Sequence, residues 1–283
     1  MLFWKRKKTS SQEQTLPSKP QVFNTAGLEA LLSYVKKEIG IDLFVKHDVI
    51  ETKLRLFCER QEIYSFQTLY DKILYDASLK QALIDLVTVN ETYFYREEAQ
   101  LDLAVSFALN IPNVRILCAP CASGEEVYSL AMKLQEKNKR EDDFTIKGID
   151  INSEAIQKAQ NGLFSERSLH KLDASVKSRF FTYETSSYRI KQSYFTSVSF
   201  TRVNIFDDAF LSLGTFDIIF SRNMLIYFDD AVRLKTVERF QTLLKPEGKL
   251  FLGHADIIPE NRHFTKMTEN RLSYYVNNQK HYM

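Results

Sequence analysis

Scarcity says much about this sequence. Among 283 residues there are three cysteines, one tryptophan, six prolines and eight glycines. An odd trio of cysteines gives no disulfide framework and suits a reducing cytoplasm. No apolar run approaches the ~20 residues that cross a bilayer, so no stable membrane insertion is expected. The opening MLFWKRKK has its charges after the apolar residues and no hydrophobic stretch behind them, so it is not read as a secretory signal. An excess of one charge is also missing, since 38 Lys+Arg stand against 36 Asp+Glu. Even the surplus of +2 is local: Lys5, Arg6, Lys7, Lys8 and Lys19 against Glu13 give residues 1–20 a balance of +4, leaving −2 for the remainder. The isoelectric point of about 8.2 belongs to that tail. No nucleic-acid footprint is visible in the rest, and nucleic acid is not an expected partner.

What is present is core material, with 44% hydrophobic residues. That suffices for one large domain or for a main domain with a smaller partner. Residues 1–20, with Pro17 and Pro20, read as a flexible basic tail. Residues 21–87 read as all-helical. Leu28, Leu31, Leu32, Val35 and Ile39 recur at helical spacing before Gly40, a suitable C-cap. Ile50, Leu54 and Phe57 make a second stripe, and Phe66, Leu69, Tyr70, Ile73 and Leu74 a third.

Beyond about residue 110 the texture changes. Strand-length apolar runs at 114–119, 144–151, 198–203, 216–221 and 249–253 are interleaved with helical segments from Gly124, from Ser153 and over 232–244. Such alternation predicts an α/β fold, a parallel sheet covered by helices on both faces. Its ligands are expected at the carboxyl ends of the strands. Tyr183, Tyr188, Ile190 and Tyr194 suggest short strands in an antiparallel lobe inserted over about 178–198.

The strand ends carry the chemistry. The first runs into CASGEEVYS, where a single glycine, Gly124, precedes Glu125 and Glu126. A dinucleotide site would want several glycines there and no acid. Two carboxylates favour a cationic ligand without phosphate, such as the sulfonium and α-amino group of S-adenosylmethionine; alternatively they complement the helix dipole. Asp150 ends the second run, 26 residues beyond Gly124, where an acid grips ribose hydroxyls. Asn152 or Ser153 is available to cap the next helix, which would leave Asp150 free. Asn204 and Asn223 follow two further strands. Their amides read either as turn residues or as hydrogen-bonding groups for a ligand. Cys118 and Cys121 form a CxxC with no second pair and no nearby His, so no zinc site is expected, and inert thiols are preferred over a redox pair. His254 either lines the cleft or caps a loop.

With these residues assembled, the sequence resembles the chemotaxis receptor glutamate methyltransferases, the CheR family. NETYFYR at 90–96, CASGEEVYS, GIDIN, FSRNMLIYFD at 220–229 and LLKPEGKLFLGHAD match its motifs in order, across about 23–275. The resemblance implies a small N-terminal all-helical domain (21–87) that docks on receptors. It is joined to a class I, Rossmann-like methyltransferase domain (88–283) carrying an inserted antiparallel β-subdomain. The reaction implied is methyl-ester formation on glutamates of methyl-accepting chemotaxis receptors, from S-adenosylmethionine, with S-adenosylhomocysteine as product and no metal. Asn90, Thr92, Arg96, Glu126, Asp150, Asn204, Ile205, Asn223 and Met224 are implied as cofactor contacts. Arg96 and Tyr227 are implied beside the transferred methyl group.

The same resemblance implies a basic helix over 48–60, with Lys53, Arg55 and Arg60, facing a receptor's helical bundle, although Glu51 and Glu59 dilute the patch. A cytoplasmic protein recruited to receptor arrays is expected. Three departures stand out. Ala122, Ser123 and Val127 alter the family's turn, and GHAD replaces Gly-His-Ser-Glu, leaving Asp256 without an assigned role. The inserted lobe lacks the glycine-bearing loop that grips a receptor's C-terminal pentapeptide, so such tethering is not expected. Two rival readings remain: a non-catalytic module binding cofactor or receptor, and a nucleic-acid methyltransferase. Against the second, Arg222-Asn223-Met224 stands where a Pro-Pro-aromatic segment would be.

Overall fold

Five apolar positions at helical spacing bury one face of α1 (Leu28–Ile39). Gly40 ends the helix at φ 79°, donating its N–H to the Lys36 carbonyl. This computed structural model describes residues 22–44 and 47–278, so the basic tail expected over 1–20 lies outside the described residues. Helices α2 (His47–Arg60), α3 (Phe66–Ile73) and α4 (Ala77–Val87) complete an all-helical unit. Ser65 caps α3 by accepting from the Thr68 N–H at 3.0 Å, and Asp76 caps α4 by accepting from Ser78 and Leu79 at 2.9 Å. Leu31, Leu32, Leu54, Phe66 and Leu69 are fully buried between the helices.

The chain then builds a seven-stranded sheet in the order β6-β2-β1-β7-β8-β10-β9. The parallel part comprises β1 (Val114–Cys118), β2 (Phe144–Asp150), β6 (Val198–Arg202), β7 (Phe216–Ser221) and β8 (Leu244–Leu252). An antiparallel edge follows, formed by β9 (Phe264–Glu269) and β10 (Leu272–Asn277). Burial on both faces explains why the inner strands are largely apolar. Val114, Ile116 and Cys118 of β1 enter one core, with α5 (Glu98–Ala108) and α6 (Glu125–Glu136). Leu117 and Ala119 enter the other, with α10 (Asp230–Leu243). The chain leaves β1 toward β2 and β6 and returns on its other side as β7 and β8. The topological switch therefore lies between β1 and β7, and a crevice opens beyond their carboxyl ends.

Two expectations are corrected. The antiparallel lobe, expected over about 178–198, begins earlier: β3 (Leu163–Ser165) pairs with β5 (Ser187–Ile190), which pairs with β4 (Phe181–Glu184). Three residues are too few to show alternation. Tyr194 lies in a 3-10 turn, Gln192–Tyr194, and not in a strand. The expected strand at 249–253 is the second half of β8, whose first half is masked by Lys245, Pro246, Glu247 and Gly248.

The helical unit is fastened to the sheet. The Asp85 carboxylate at the end of α4 accepts from the Ser153 N–H at 2.7 Å, at the start of α7 (Ser153–Asn161). The Gln81 amide donates to the Ile151 carbonyl at 2.9 Å. A Cβ on Gly40 would lie 2.8–3.0 Å from Val232, Phe206 and Phe228, so the end of α1 is pressed against the larger core.

Candidate active site

The β1–α6 turn forms the floor of the crevice. Gly124, at φ 94°, has no room for a side chain, since a Cβ there would lie 2.9–3.0 Å from the Ala159 and Phe200 side chains. Beyond it lies a cleft of about 950 Å³, its open mouth included. Asn90, Thr92, Arg96, Glu126, Asp150, Asn204, Ile205, Asn223, Met224 and Tyr227 all line it. The structure thus brings the residues expected at the cofactor and the methyl group to one place. Lys53, Arg55 and Arg60 lie elsewhere, on α2.

The two acids that open α6 differ. Glu125 is buried and accepts from the Ser123 hydroxyl at 2.7 Å, and burial pushes its carboxyl above the ordinary range. Glu126 is also buried. One of its oxygens accepts from Arg222 Nε, while Oε1 has no protein partner among the described residues. A buried, unpartnered carboxylate oxygen on a residue that lines a cleft is an acceptor for a cation.

Asp150 is not free, contrary to the expectation from capping. Asn152 does cap α7, accepting from the Ala155 N–H at 2.8 Å. Asp150 nevertheless accepts from Ala122 N–H at 2.8 Å and Asn152 N–H at 2.9 Å, one on each oxygen. Burial raises its pKa and those N–H groups oppose the rise. Each oxygen keeps a second lone pair, so the group can still receive a diol.

The two asparagines separate. Asn204 donates to the Glu38 carbonyl at 2.9 Å and to Asp207 at 3.3 Å, and accepts from Phe206 N–H at 3.0 Å. Its amide is fully engaged, which is the turn reading. Asn223, at φ 59°, has no protein partner for its amide among the described residues. Its backbone is held by Asp256, which accepts from the N–H groups of Asn223, of Gly253 at 3.0 Å and of Ile226 at 3.2 Å. Asp256 is therefore the anchor of the β7 loop, a role the sequence did not disclose. The only signal was an acid three residues past the strand-end glycine.

Arg222 is the second residue missed. It is buried, and its Nη1 donates to the Arg96 carbonyl at 2.9 Å and lies 3.5 Å from Glu97 Oε2. Burial opposes its charge, yet Glu126 and Glu97 keep its pKa above the ordinary value. Arg96 donates to the Glu91 carbonyl at 2.9 Å, and its guanidinium lies 5.9 Å from the centre of the Tyr93 ring. Arg96 makes no ion pair with its chain neighbours Glu97 and Glu98: Glu98 meets Lys133 at 2.8 Å, and Glu97 meets Arg222 and His254. His254 approaches Glu97 at 3.0 Å from an exposed position. Tyr227 sits in the 3-10 turn Leu225–Tyr227, and its carbonyl accepts from Asp42 N–H at 3.2 Å.

Cys118 and Cys121 are buried and unbridged, and burial raises both thiols well above the usual range, as inert cysteines require. No cluster of three or more metal-ligating side chains occurs among the described residues. On α2, Lys53 donates to the Leu86 carbonyl, Arg55 pairs with Glu59 at 3.3 Å, and Arg60 is exposed. The three cations do not form one unengaged cluster.

Comparison with known proteins gives a consistent result. The family described as CheR methyltransferase, SAM binding domain, matches residues 90–273. The chain is 42% identical over 250 residues to the chemotaxis protein methyltransferase of Campylobacter jejuni subsp. jejuni serotype O:23/36, covering 88% of this chain and 95% of that one. It is 38% identical over 224 residues to chemotaxis protein methyltransferase 2 of Vibrio cholerae, covering 75% and 78%. With the chemotaxis protein methyltransferase of Escherichia coli K12 it shares 32% over 182 residues, covering 62% and 64%.

Proposed function

The chain belongs to the CheR methyltransferase family, and from that premise we propose that it methylates glutamate side chains of methyl-accepting chemotaxis receptors. The donor is S-adenosylmethionine and the product cofactor S-adenosylhomocysteine. The observation that carries this reading is the buried, unpartnered Glu126 Oε1 in a cleft that also holds Arg96. Glu126 receives the cofactor's α-ammonium, Asp150 the ribose hydroxyls, and the amide of Asn223 a further polar edge. Asn90, Thr92, Ile205 and Met224 complete the walls, and Asn204 contributes shape and not its amide.

When bound, the cofactor supplies a methyl group on a sulfonium that leaves as a neutral thioether. The acceptor glutamate, with a solution pKa of about 4.3, is already ionised at neutral pH, so no general base is needed. What the protein provides is alignment and exclusion of water. Arg96 holds one carboxylate oxygen and leaves the other facing the methyl group. Tyr227, on the same cleft, stands beside the methyl group. No metal has a part in this scheme.

Methyl transfer from labelled S-adenosylmethionine to membranes carrying the organism's own receptors tests the proposal. Base-labile label on the receptors, lost with Arg96→Ala, is the expected outcome. Cofactor binding without transfer would leave the non-catalytic module as the better reading.

The helical unit is the proposed receptor dock, through Lys53, Arg55 and Arg60 on α2. Reversing Lys53 and Arg60 to Glu is expected to abolish receptor methylation with cofactor affinity unchanged; loss of both would indicate misfolding, and unchanged methylation would sink the docking role. Strands β4 and β5 are joined by Thr185 and Ser186 alone, a short turn that supports the reading without pentapeptide tethering. Low-micromolar binding of such a peptide would overturn that. No helix among the described residues is long and apolar enough to cross a membrane, and the proposed place of action is the cytoplasmic side of receptor arrays.

A further inference from the structure

The buried polar groups of the cleft gather around one side chain. Arg222 stands at the carboxyl end of β7, 6% exposed. Its Nε donates to Glu126 Oε2. Its Nη1 donates to the main-chain carbonyl of Arg96 at 2.9 Å and lies 3.5 Å from Glu97 Oε2. Two carboxylates thus share one guanidinium, and Glu126 Oε1 is left without a protein partner among the described residues. The Glu126 carboxylate would not be tolerated at this depth without that cation, whereas the half-buried Glu97 also has His254 at 3.0 Å. Glu126 comes from the head of α6, and Arg96 from the segment before α5. Nothing else described joins the Glu126 carboxylate to the Arg96 backbone. A guanidinium is a rigid planar fork, so the spacing between its partners is set by its own geometry.

We infer that Arg222 is a positioning residue that aims Glu126 Oε1 at the cofactor's α-ammonium and, through the Arg96 carbonyl, fixes the acceptor clamp relative to the cofactor. The inference rests on the reading of the cleft proposed above. A lysine keeps the charge but loses the fork. It serves Glu126 or the Arg96 carbonyl, not both.

A double-mutant cycle on the full chain tests this, with the Kd for S-adenosylhomocysteine measured by calorimetry. Arg222→Lys is expected to weaken binding about tenfold in the native background but less than about twofold when Glu126 is already Gln, because neighbours that act through one another are not additive. Equal losses in both backgrounds, or no loss in either, overturn the assignment. If the lysine variant does not fold, Arg222→Gln, which keeps a donor for Glu126, runs the same cycle with the same two outcomes. In methyl transfer at saturating cofactor, Arg222→Lys is expected to retain a lowered kcat, since the Arg96 backbone is no longer held. Full recovery there would remove the acceptor half of the inference. A native chain that binds S-adenosylhomocysteine and methylates no receptor would refute the functional reading, and the binding cycle would still decide on Arg222.

Discussion

The loops after β6 and β7 begin alike and end differently. Each places an asparagine just beyond a parallel strand, on the same cleft. Asn204 gives its amide to Glu38, Asp207 and Phe206, and so ties the helical unit to the sheet. Asn223 is held by its backbone, through Asp256, and lines the cleft with no protein partner for its amide among the described residues. Residue type and position at a strand end are therefore insufficient to assign a role. What decides is whether another protein group has already satisfied the side chain.

The strongest way to break this contrast is Asp256→Ala. It removes the acceptor for the N–H groups of Asn223, Gly253 and Ile226 in a buried loop. A loss of about 3 kcal/mol in urea unfolding is expected, with weakened cofactor binding because Asn223 is no longer held at positive φ. Unchanged stability would show that the loop holds itself.

Next comes a paired comparison that sharpens it. Asn223→Gly, which tolerates the left-handed backbone, is expected to weaken S-adenosylhomocysteine binding about tenfold while stability changes by less than about 1 kcal/mol. Asn204→Ala is expected to do the reverse, costing about 1–2 kcal/mol of stability with nearly native affinity. Equal effects from the two on both readouts would erase the distinction.

The smallest effect concerns a second tie between the units. Lys36 on α1 lies 2.8 Å from both Asp42 and Asp229, and these hydrogen bonds push its pKa up to about 12. Asp229 also caps α10, accepting from Val232 N–H at 2.9 Å, and Lys36 chiefly holds its carboxyl below the ordinary value. Asp229→Asn keeps the cap and loses the ion pair. A depressed folded-state pKa stabilises above the unfolded value near 3.9 and ceases to as pH falls through the folded one. The variant is therefore expected to be slightly less stable than the native chain at neutral pH, by under about 1 kcal/mol for so exposed a pair. The two should converge below pH 4 in acid-denaturation curves. A difference that persisted in acid would assign the effect to the cap.

Much of this arrangement was legible in the sequence, for identifiable reasons. The inner strands β1 and β7 announced themselves because they are buried on both faces and largely apolar, although β6, at the sheet edge, is mostly exposed. The β9–β10 hairpin did not, since five of six residues of β9 are exposed. The cleft residues could be found by reading strand ends and by family resemblance. Arg222 and Asp256 could not, because their partners are distant in the chain: Glu126 is 96 residues from Arg222, and Asn223 is 33 from Asp256. The same blindness misjudged Asp150. Local capping logic sees Asn152 two residues on, but not the Ala122 N–H, 28 residues back.

Gly40 carries a consequence for how much change the cleft can absorb. The residues on either side of it, Ile39 and Ile41, belong to the cleft wall, yet Gly40 itself does not. It acts as a spacer of zero thickness between α1 and the side chains of Val232, Phe206 and Phe228. One added methyl group there would lever two wall residues outward together. The tolerance of the cleft is thus fixed by an atom that is missing, at a position that no ligand would touch.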